Sequence, residues 1–303
     1  MRSAKILVRL ALALASLAAT SAAPVHAPVS RPQDVVRIWP GQAPGTEDWT
    51  APEESADVTL PRVAKIHVIT NVTVPTLTVF RPAAGRSNRT AMVVLPGGSF
   101  RALAWDVDGL ETARWLAAQG ITAFVLKYRV RPPQQGESFG QSLEDFAAAT
   151  KARRAFAVAD AEQSIRYVRA HARQYALAPH KVGIIGFSAG AMATVEVALV
   201  RDPAVRPDFA VPMYGAALTD EVPGKDAPPL FIAAAQDDSE LPATNSVRIF
   251  ERWTKAGLPA ELHVFEKGGH GFGFRHHGTP SDQWPTVFRT WLAVHDYLKR
   301  PGA

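Results

Sequence analysis

The chain contains no cysteine. No disulfide can brace it and no thiolate can hold zinc, so its stability has to come from a buried core. It also lacks a long apolar run near its start. The stretch 10–19 gives way to Thr20, Ser21 and Pro24, short of the roughly 20 residues that a spanning helix needs. There is no internal repeat, no second composition regime, and no basic run interleaved with aromatics, which argues against nucleic-acid binding. Spaced clusters of histidine and carboxylate are missing too. His276 and His277 are adjacent and point apart in a helix or a strand, so neither a metal nor another cofactor is expected.

What is present is a 303-residue chain, 47% hydrophobic, enough for one large α/β domain with a well-buried core. Arg2, Lys5 and Arg9 precede the apolar stretch, and small residues follow up to Val25-His26-Ala27, the pattern of an export signal over 1–27. Setting those three aside leaves 30 basic against 28 acidic residues, so the net charge falls from +5 to +2. The expectation is a secreted or periplasmic protein with no stable membrane association once the signal is removed.

Residues 28–62 are rich in Pro, Gly and acidic side chains and read as an extended arm. From 63 onwards apolar strands alternate with helical patterns. Strands are expected at 63–69, 72–80, 91–95, 121–126, 182–185, 209–213, 230–234 and 261–265, and helices at 110–119, 158–175, 245–256 and 284–298. This alternation predicts a mostly parallel central sheet with helices on both faces, in a domain over 63–300. The segment 131–154 is too long for an ordinary connection and reads as a possible cap or pocket rim, a surface insertion or disorder.

One stretch organises the chain. The strand Val182-Gly183-Ile184-Ile185 runs into Gly186-Phe187-Ser188-Ala189-Gly190 and on into a helix, the context of a nucleophile elbow. Two glycines around a serine also describe an ordinary turn. In an elbow, they let a sharp strand-to-helix turn expose the serine hydroxyl at a helix N-terminus, where developing negative charge is favoured. Ser188 is then the nucleophile and the Ala189 N–H an oxyanion donor. Pro96-Gly97-Gly98-Ser99-Phe100 follows an earlier strand, either as a plain turn or as a loop pointing N–H groups at a substrate carbonyl. Gln236-Asp237-Asp238 and Gly268-Gly269-His270-Gly271 follow two later strands, so Ser, Asp and His arrive in the order of an α/β-hydrolase, at the strand ends where open α/β sheets place their sites.

On these residues the chain resembles the α/β-hydrolase superfamily and, within it, the bacterial esterases that include acetyl-xylan-esterase-like proteins, over about 63–298. The resemblance implies an α/β-hydrolase fold and a Ser188–His270–Asp238 acyl-enzyme mechanism without metal or cofactor. The family pattern of Asp, two residues, an aliphatic residue and Pro selects Asp238 over its neighbour Asp237. The family's loop after the third strand implies oxyanion donors at Gly98 and Ser99 beside Ala189, although Pro96 and Ser99 stand where many relatives have His and a third Gly. The implied substrate is a small-molecule or carbohydrate ester, short in its acyl part, with an O-acetyl group on plant-wall sugar as the leading case. The alternatives are a general carboxylesterase or lipase-like enzyme on apolar esters, a serine peptidase, and a non-catalytic binding protein on the same fold. A carbohydrate-binding platform is disfavoured, because the tryptophans are scattered through helical patterns.

Overall fold

A computed structural model describes residue 32 and residues 34–60, 64–131 and 142–299. The expected export signal, and 132–141 of the expected rim, lie outside the described residues. In chain order the elements are β1 (Asp34–Arg37), β2 (Glu54–Leu60), β3 (Ala64–Thr70), β4 (Thr76–Phe80), β5 (Ala91–Leu95), β6 (Leu103–Ala104), α1 (Glu111–Ala118), β7 (Thr122–Lys127), α2 (Leu143–Ala170), β8 (Val182–Phe187), α3 (Ala189–Leu199), β9 (Phe209–Met213), β10 (Leu230–Ala235), α4 (Thr244–Lys255), β11 (Ala260–Phe265) and α5 (Trp284–Val294).

Eight strands form the central sheet in the order β1-β4-β7-β5-β8-β9-β10-β11. β1, β4 and β7 pair antiparallel, and from β7 to β11 every pairing is parallel. Period-2 alternation sends neighbouring residues to opposite faces. Val93 and Ile184 enter the core under α2, α3 and α4, while Val94 and Ile185 enter the core under α1 and α5. Because both faces are covered, the inner strands read as continuous apolar runs. β2, β3 and β6 make a second, three-stranded antiparallel sheet.

The arm expected over 28–62 holds two strands, β1 on the edge of the central sheet and β2 against β3. The helix expected to begin at residue 158 begins at Leu143, and residues 142–154 supply its cap and first turns. Its start is a capping box: Ser142 Oγ accepts from the Asp145 N–H at 3.0 Å, and the Asp145 carboxylate accepts from the Ser142 N–H at 3.2 Å. The inward face of these turns has Leu143 and Phe146 only partly buried against the core and then buries Thr150, Arg153 and Arg154, so the apolar periodicity breaks off before residue 158. The strand expected over 72–80 starts only at Thr76, after Pro75, and Val72 makes an isolated bridge to Val130.

A buried ion pair ties the arm to this frame. Arg129, just after β7, meets Asp160 of α2 with Nε–Oδ2 at 2.9 Å and Nη2–Oδ1 at 2.8 Å, and both side chains are almost fully buried. Trp39 Nε1 donates to Asp160 Oδ1 at 2.8 Å, and the guanidinium also donates to the Pro44 carbonyl. Removing one partner strands a buried charge. Asp160→Ala is therefore expected to lower the unfolding free energy by about 3–5 kcal/mol, measured by urea denaturation. The double change Arg129→Met, Asp160→Leu should lose much less, and a loss below about 1 kcal/mol in the single variant would contradict the account.

Candidate active site

The site forms where the carboxyl ends of β5 and β8 lie side by side, with Leu95 paired to Gly186. Ser188 sits between β8 and α3 with φ 52° and ψ −116°, a backbone conformation that costs an L-residue strain and needs its surroundings to hold it. Two glycines make the turn possible. A Cβ on Gly186 would stand 2.2 Å from the Gly190 carbonyl oxygen, and one on Gly190 would stand 2.3 Å from the Leu95 carbonyl oxygen. The Ser188 N–H is fixed by the Met213 carbonyl at 3.1 Å.

The loops after β10 and β11 bring their residues to this turn. His270 Nε2 lies 2.9 Å from Ser188 Oγ, and His270 Nδ1 lies 2.8 Å from Asp238 Oδ2. Asp238 is buried, and its other oxygen accepts from the N–H groups of Glu240 at 2.9 Å and Leu241 at 2.8 Å. Those bonds leave Oδ2 for the imidazole. With the ring proton assigned to Nδ1 on this network, Nε2 is the acceptor that faces the serine hydroxyl. Asp237 points elsewhere. Its Oδ1 accepts from Gly268 N–H at 2.9 Å and Gly269 N–H at 2.7 Å, bracing the loop that carries His270, and those bonds hold its carboxyl below the usual range.

Burial opposes a charge on His270, but the Asp238 hydrogen bond and charge, with the Glu240 and Asp108 carboxylates, hold its pKa above the ordinary histidine value. Glu240 Oε2 is 3.9 Å from Nε2 and largely exposed, so solvent screens it. The Tyr214 ring packs edge-on against the imidazole, 5.2 Å between centroids. Neither contact was evident from the sequence. Glu240 lies within the acid's own loop, and Tyr214 was detectable only as the residue following β9.

The N–H groups of Gly98, Ser99 and Ala189 have no acceptor among the described residues. Gly98, Ser99 and Phe100 all have positive φ, at 129°, 56° and 58°, which turns the loop over the end of β5. Ser99, Ala189, Ser188 and His270 line one cavity of about 660 Å³. Its walls combine apolar Phe146, Met192 and Leu241 with polar Ser142, Asn245 and Arg248, so the described part of the expected rim borders the cavity through the start of α2. A hydroxyl beside an imidazole acceptor, that acceptor backed by a buried carboxylate, and unpaired N–H groups near a helix N-terminus are the components of nucleophilic acyl transfer. Among the described residues, no group of three or more His, Asp or Glu is placed to ligate a metal ion.

The sequence model of the Dienelactone hydrolase family matches residues 104–301. Among curated proteins, the chain is 28% identical over 240 residues to an acetylxylan esterase of Xylanibacter ruminicola, covering 69% of this chain and 43% of that protein. It is 26% identical over 221 residues to endo-1,4-beta-xylanase B of Butyrivibrio fibrisolvens, covering 60% of this chain and 32% of that protein. The chain thus spans less than half the length of these curated relatives. Among solved structures, the acetyl ester-xyloside bifunctional hydrolase of Caldicellulosiruptor lactoaceticus aligns with a TM-score of 0.63 at 23% identity, over 89% of this chain and 98% of that one. A thermophilic esterase from Thermogutta terrifontis aligns with a TM-score of 0.58 at 21% identity, over 82% and 95% of the two chains. These likenesses establish the α/β-hydrolase fold.

The electrostatics of His270 can be tested without substrate. In an NMR titration its ring should change protonation above the ordinary histidine pKa, because the neighbouring carboxylates favour the imidazolium. Asp238→Asn should bring the midpoint down, and Glu240→Gln should lower it by less, since Glu240 is screened. A midpoint that Asp238→Asn leaves in place would mean that the Asp238–His270 contact does not set the charge of the ring.

Proposed function

The chain belongs to the dienelactone hydrolase family, and on that premise we propose that it is a serine carboxylic ester hydrolase acting through Ser188, His270 and Asp238. The observation that carries the reading is the unbroken hydrogen-bonded line from Ser188 Oγ through His270 to buried Asp238, at 2.9 and 2.8 Å, opening on a cavity. Ser188 Oγ attacks the ester carbonyl carbon while His270 Nε2 takes its proton. The oxyanion binds the N–H groups of Ala189, Gly98 and Ser99, contacts of a kind worth about 3 kcal/mol each. Collapse of the tetrahedral intermediate expels the alcohol with the proton from His270. Water then attacks the acyl-enzyme with His270 again as base, and Ser188 is restored.

For the substrate we infer short acyl esters, above all O-acetyl groups on plant-wall carbohydrate. Two proteins that it resembles, an acetylxylan esterase and an acetyl ester-xyloside bifunctional hydrolase, support it. So does the mixed lining of the cavity, in which Asn245, Arg248 and Thr244 offer hydroxyl-binding groups beside an apolar patch. Export belongs to the same reading, on the basic and then apolar residues of 1–27. An intact Met1 terminus on protein from the cytosol of its host would refute it.

Ser188→Ala and His270→Ala should each lower kcat by about four to six orders of magnitude with the fold intact, and the double variant should be hardly worse than either. Asp238→Asn should cost about 10⁴-fold by favouring the wrong tautomer, and Asp237→Asn far less. Kinetics on a chromogenic acetate ester, with circular dichroism as the fold control, decide this. Strictly additive losses, or activity retained in Ser188→Ala, would end the assignment.

Each methylene buried on binding contributes about 0.8 kcal/mol, so an apolar trough would make kcat/KM climb steeply from acetyl through butyryl to octanoyl esters. A flat or falling series, together with acetate release from acetylated xylan, is expected. An octanoyl optimum without acetate release would instead favour a general carboxylesterase, for which Phe146, Met192 and Leu241 would form the acyl wall.

A further inference from the structure

Below the loop that carries Gly98 and Ser99, a single peptide group is gripped at both ends. Its carbonyl oxygen, that of Pro96, accepts from Tyr128 Oη at 2.7 Å, and its N–H, that of Gly97, donates to Asp108 Oδ2 at 2.9 Å. Both side chains are buried, Tyr128 completely and Asp108 with 6% exposure. They arrive from different elements, Tyr128 just after β7 and Asp108 from the π-helical turn Trp105–Leu110. Hydrogen bonds at the two ends of one peptide plane fix its tilt, and the next two N–H groups along the chain are those of Gly98 and Ser99.

We propose that Asp108 and Tyr128 are positioning residues whose clamp on the Pro96–Gly97 peptide sets the aim of the oxyanion donors at Ser188. The inference rests on the ester-hydrolase reading above. Packing leaves the clamped peptide little freedom, since a Cβ on Gly97 would stand 2.9 Å from Asp108 Oδ2, 3.0 Å from the Phe187 carbonyl oxygen and 3.2 Å from Ser188 Cβ. Any tilt of the plane therefore moves the donors relative to the nucleophile. Asp108 also reaches the histidine side of the site, because its Oδ1 is 3.4 Å from Tyr214 Oη and the Tyr214 ring packs on His270. Burial pushes the Asp108 carboxyl up to about 7, opposed by the Gly97 N–H, the His270 charge and Tyr214. Near neutral pH it carries only part of a negative charge, and so it can hold the peptide without placing a full anion beside the developing oxyanion.

The test measures kcat and KM on a short acyl ester, together with inhibition by a boronic acid, whose tetrahedral adduct presents an oxygen to the same donors. Asp108→Ala and Tyr128→Phe are expected to lower kcat about 10- to 100-fold, the scale of a misplaced donor, with KM changed less than about twofold and boronate affinity weakened in parallel with kcat. Asp108→Asn keeps an acceptor for the Gly97 N–H and should recover most of the loss, whereas Asp108→Leu, of similar size but with no acceptor, should not; a merely space-filling role would predict recovery in both. If Asp108→Ala does not fold, Tyr128→Phe still decides, since it keeps the buried ring and removes only the hydroxyl that holds the Pro96 carbonyl. Unchanged kcat and boronate affinity in folded Tyr128→Phe and Asp108→Ala would overturn the clamp alone, provided that Ser188→Ala is inert. Full activity in Ser188→Ala would overturn the ester-hydrolase reading and the clamp together.

Discussion

The site depends on how closely two backbones approach. The first turn of α3 lies against the carboxyl end of β5 with no side chain between them. A Cβ on Gly190 would meet the Leu95 and Pro96 carbonyl oxygens at 2.3 and 2.7 Å, and one on Gly97 would meet the Phe187 carbonyl oxygen at 3.0 Å. Glycine stands on both sides of the contact because no other residue fits. The parallel pairing of β5 with β8 then brings the loop after β5 and the turn after β8 to the same height. The contact places the Ser188 hydroxyl beside Ser99 and Ala189 on the wall of a cavity, with their N–H groups unpaired among the described residues, before histidine or aspartate is considered.

Around that wall the carboxylates are graded by environment. Asp238 is buried and saturated with donors, so it serves as a fixed partner for His270 Nδ1. Glu240, at the mouth, acts on the same ring through screened charge. Asp108, buried like Asp238 but without its pair of backbone N–H donors on one oxygen, is pushed toward neutrality by burial. Asp237 is spent on two backbone N–H groups of the histidine loop. Four acidic side chains around one site thus do four different jobs, each set by what the carboxyl touches.

The parts of the fold and site that the sequence made legible are those forced by local chemistry. The elbow announced itself because the close backbone approach requires Gly186 and Gly190 at fixed offsets from Ser188, and the inner strands did so because both sheet faces are covered. What was hidden depends on distant partners. β1 forms because β4 presents an open edge to pair with, not because its own residues alternate; β2 does alternate, with Ala56, Val58 and Leu60 between polar residues, but the Pro and acidic residues around it masked that short pattern. The first turns of α2 were obscured by buried Thr150, Arg153 and Arg154, and Arg154 is matched to Glu196 of α3 at 2.6 Å. Asp237 and Asp238 are adjacent in the sequence, and only the folded loop separates a brace from an imidazole partner. Tyr214 and Tyr128 sit at strand ends that carry no motif, so their contacts with the site arise from the sheet order alone.

Strain is concentrated in the same place. Among the described residues, eight residues other than glycine have positive φ, and four of them, Ser99, Phe100, Ser188 and Tyr214, belong to the loops of this site. Each such residue costs about 1–3 kcal/mol unless its surroundings compel it. Here the compulsion is visible as hydrogen bonds that leave no alternative: Ser188 N–H to Met213, Tyr214 N–H to Ala233 at 2.7 Å, and the N–H groups of Arg101 and Ala102 both to Gly98. Two of these four bonds anchor to Met213 and Ala233, buried residues of β9 and β10, and the other two to Gly98 in the loop after β5. Fully covered inner strands are therefore what hold the strained turns in place, and a looser sheet would let Ser188 relax toward ordinary helix geometry, drawing its hydroxyl away from His270.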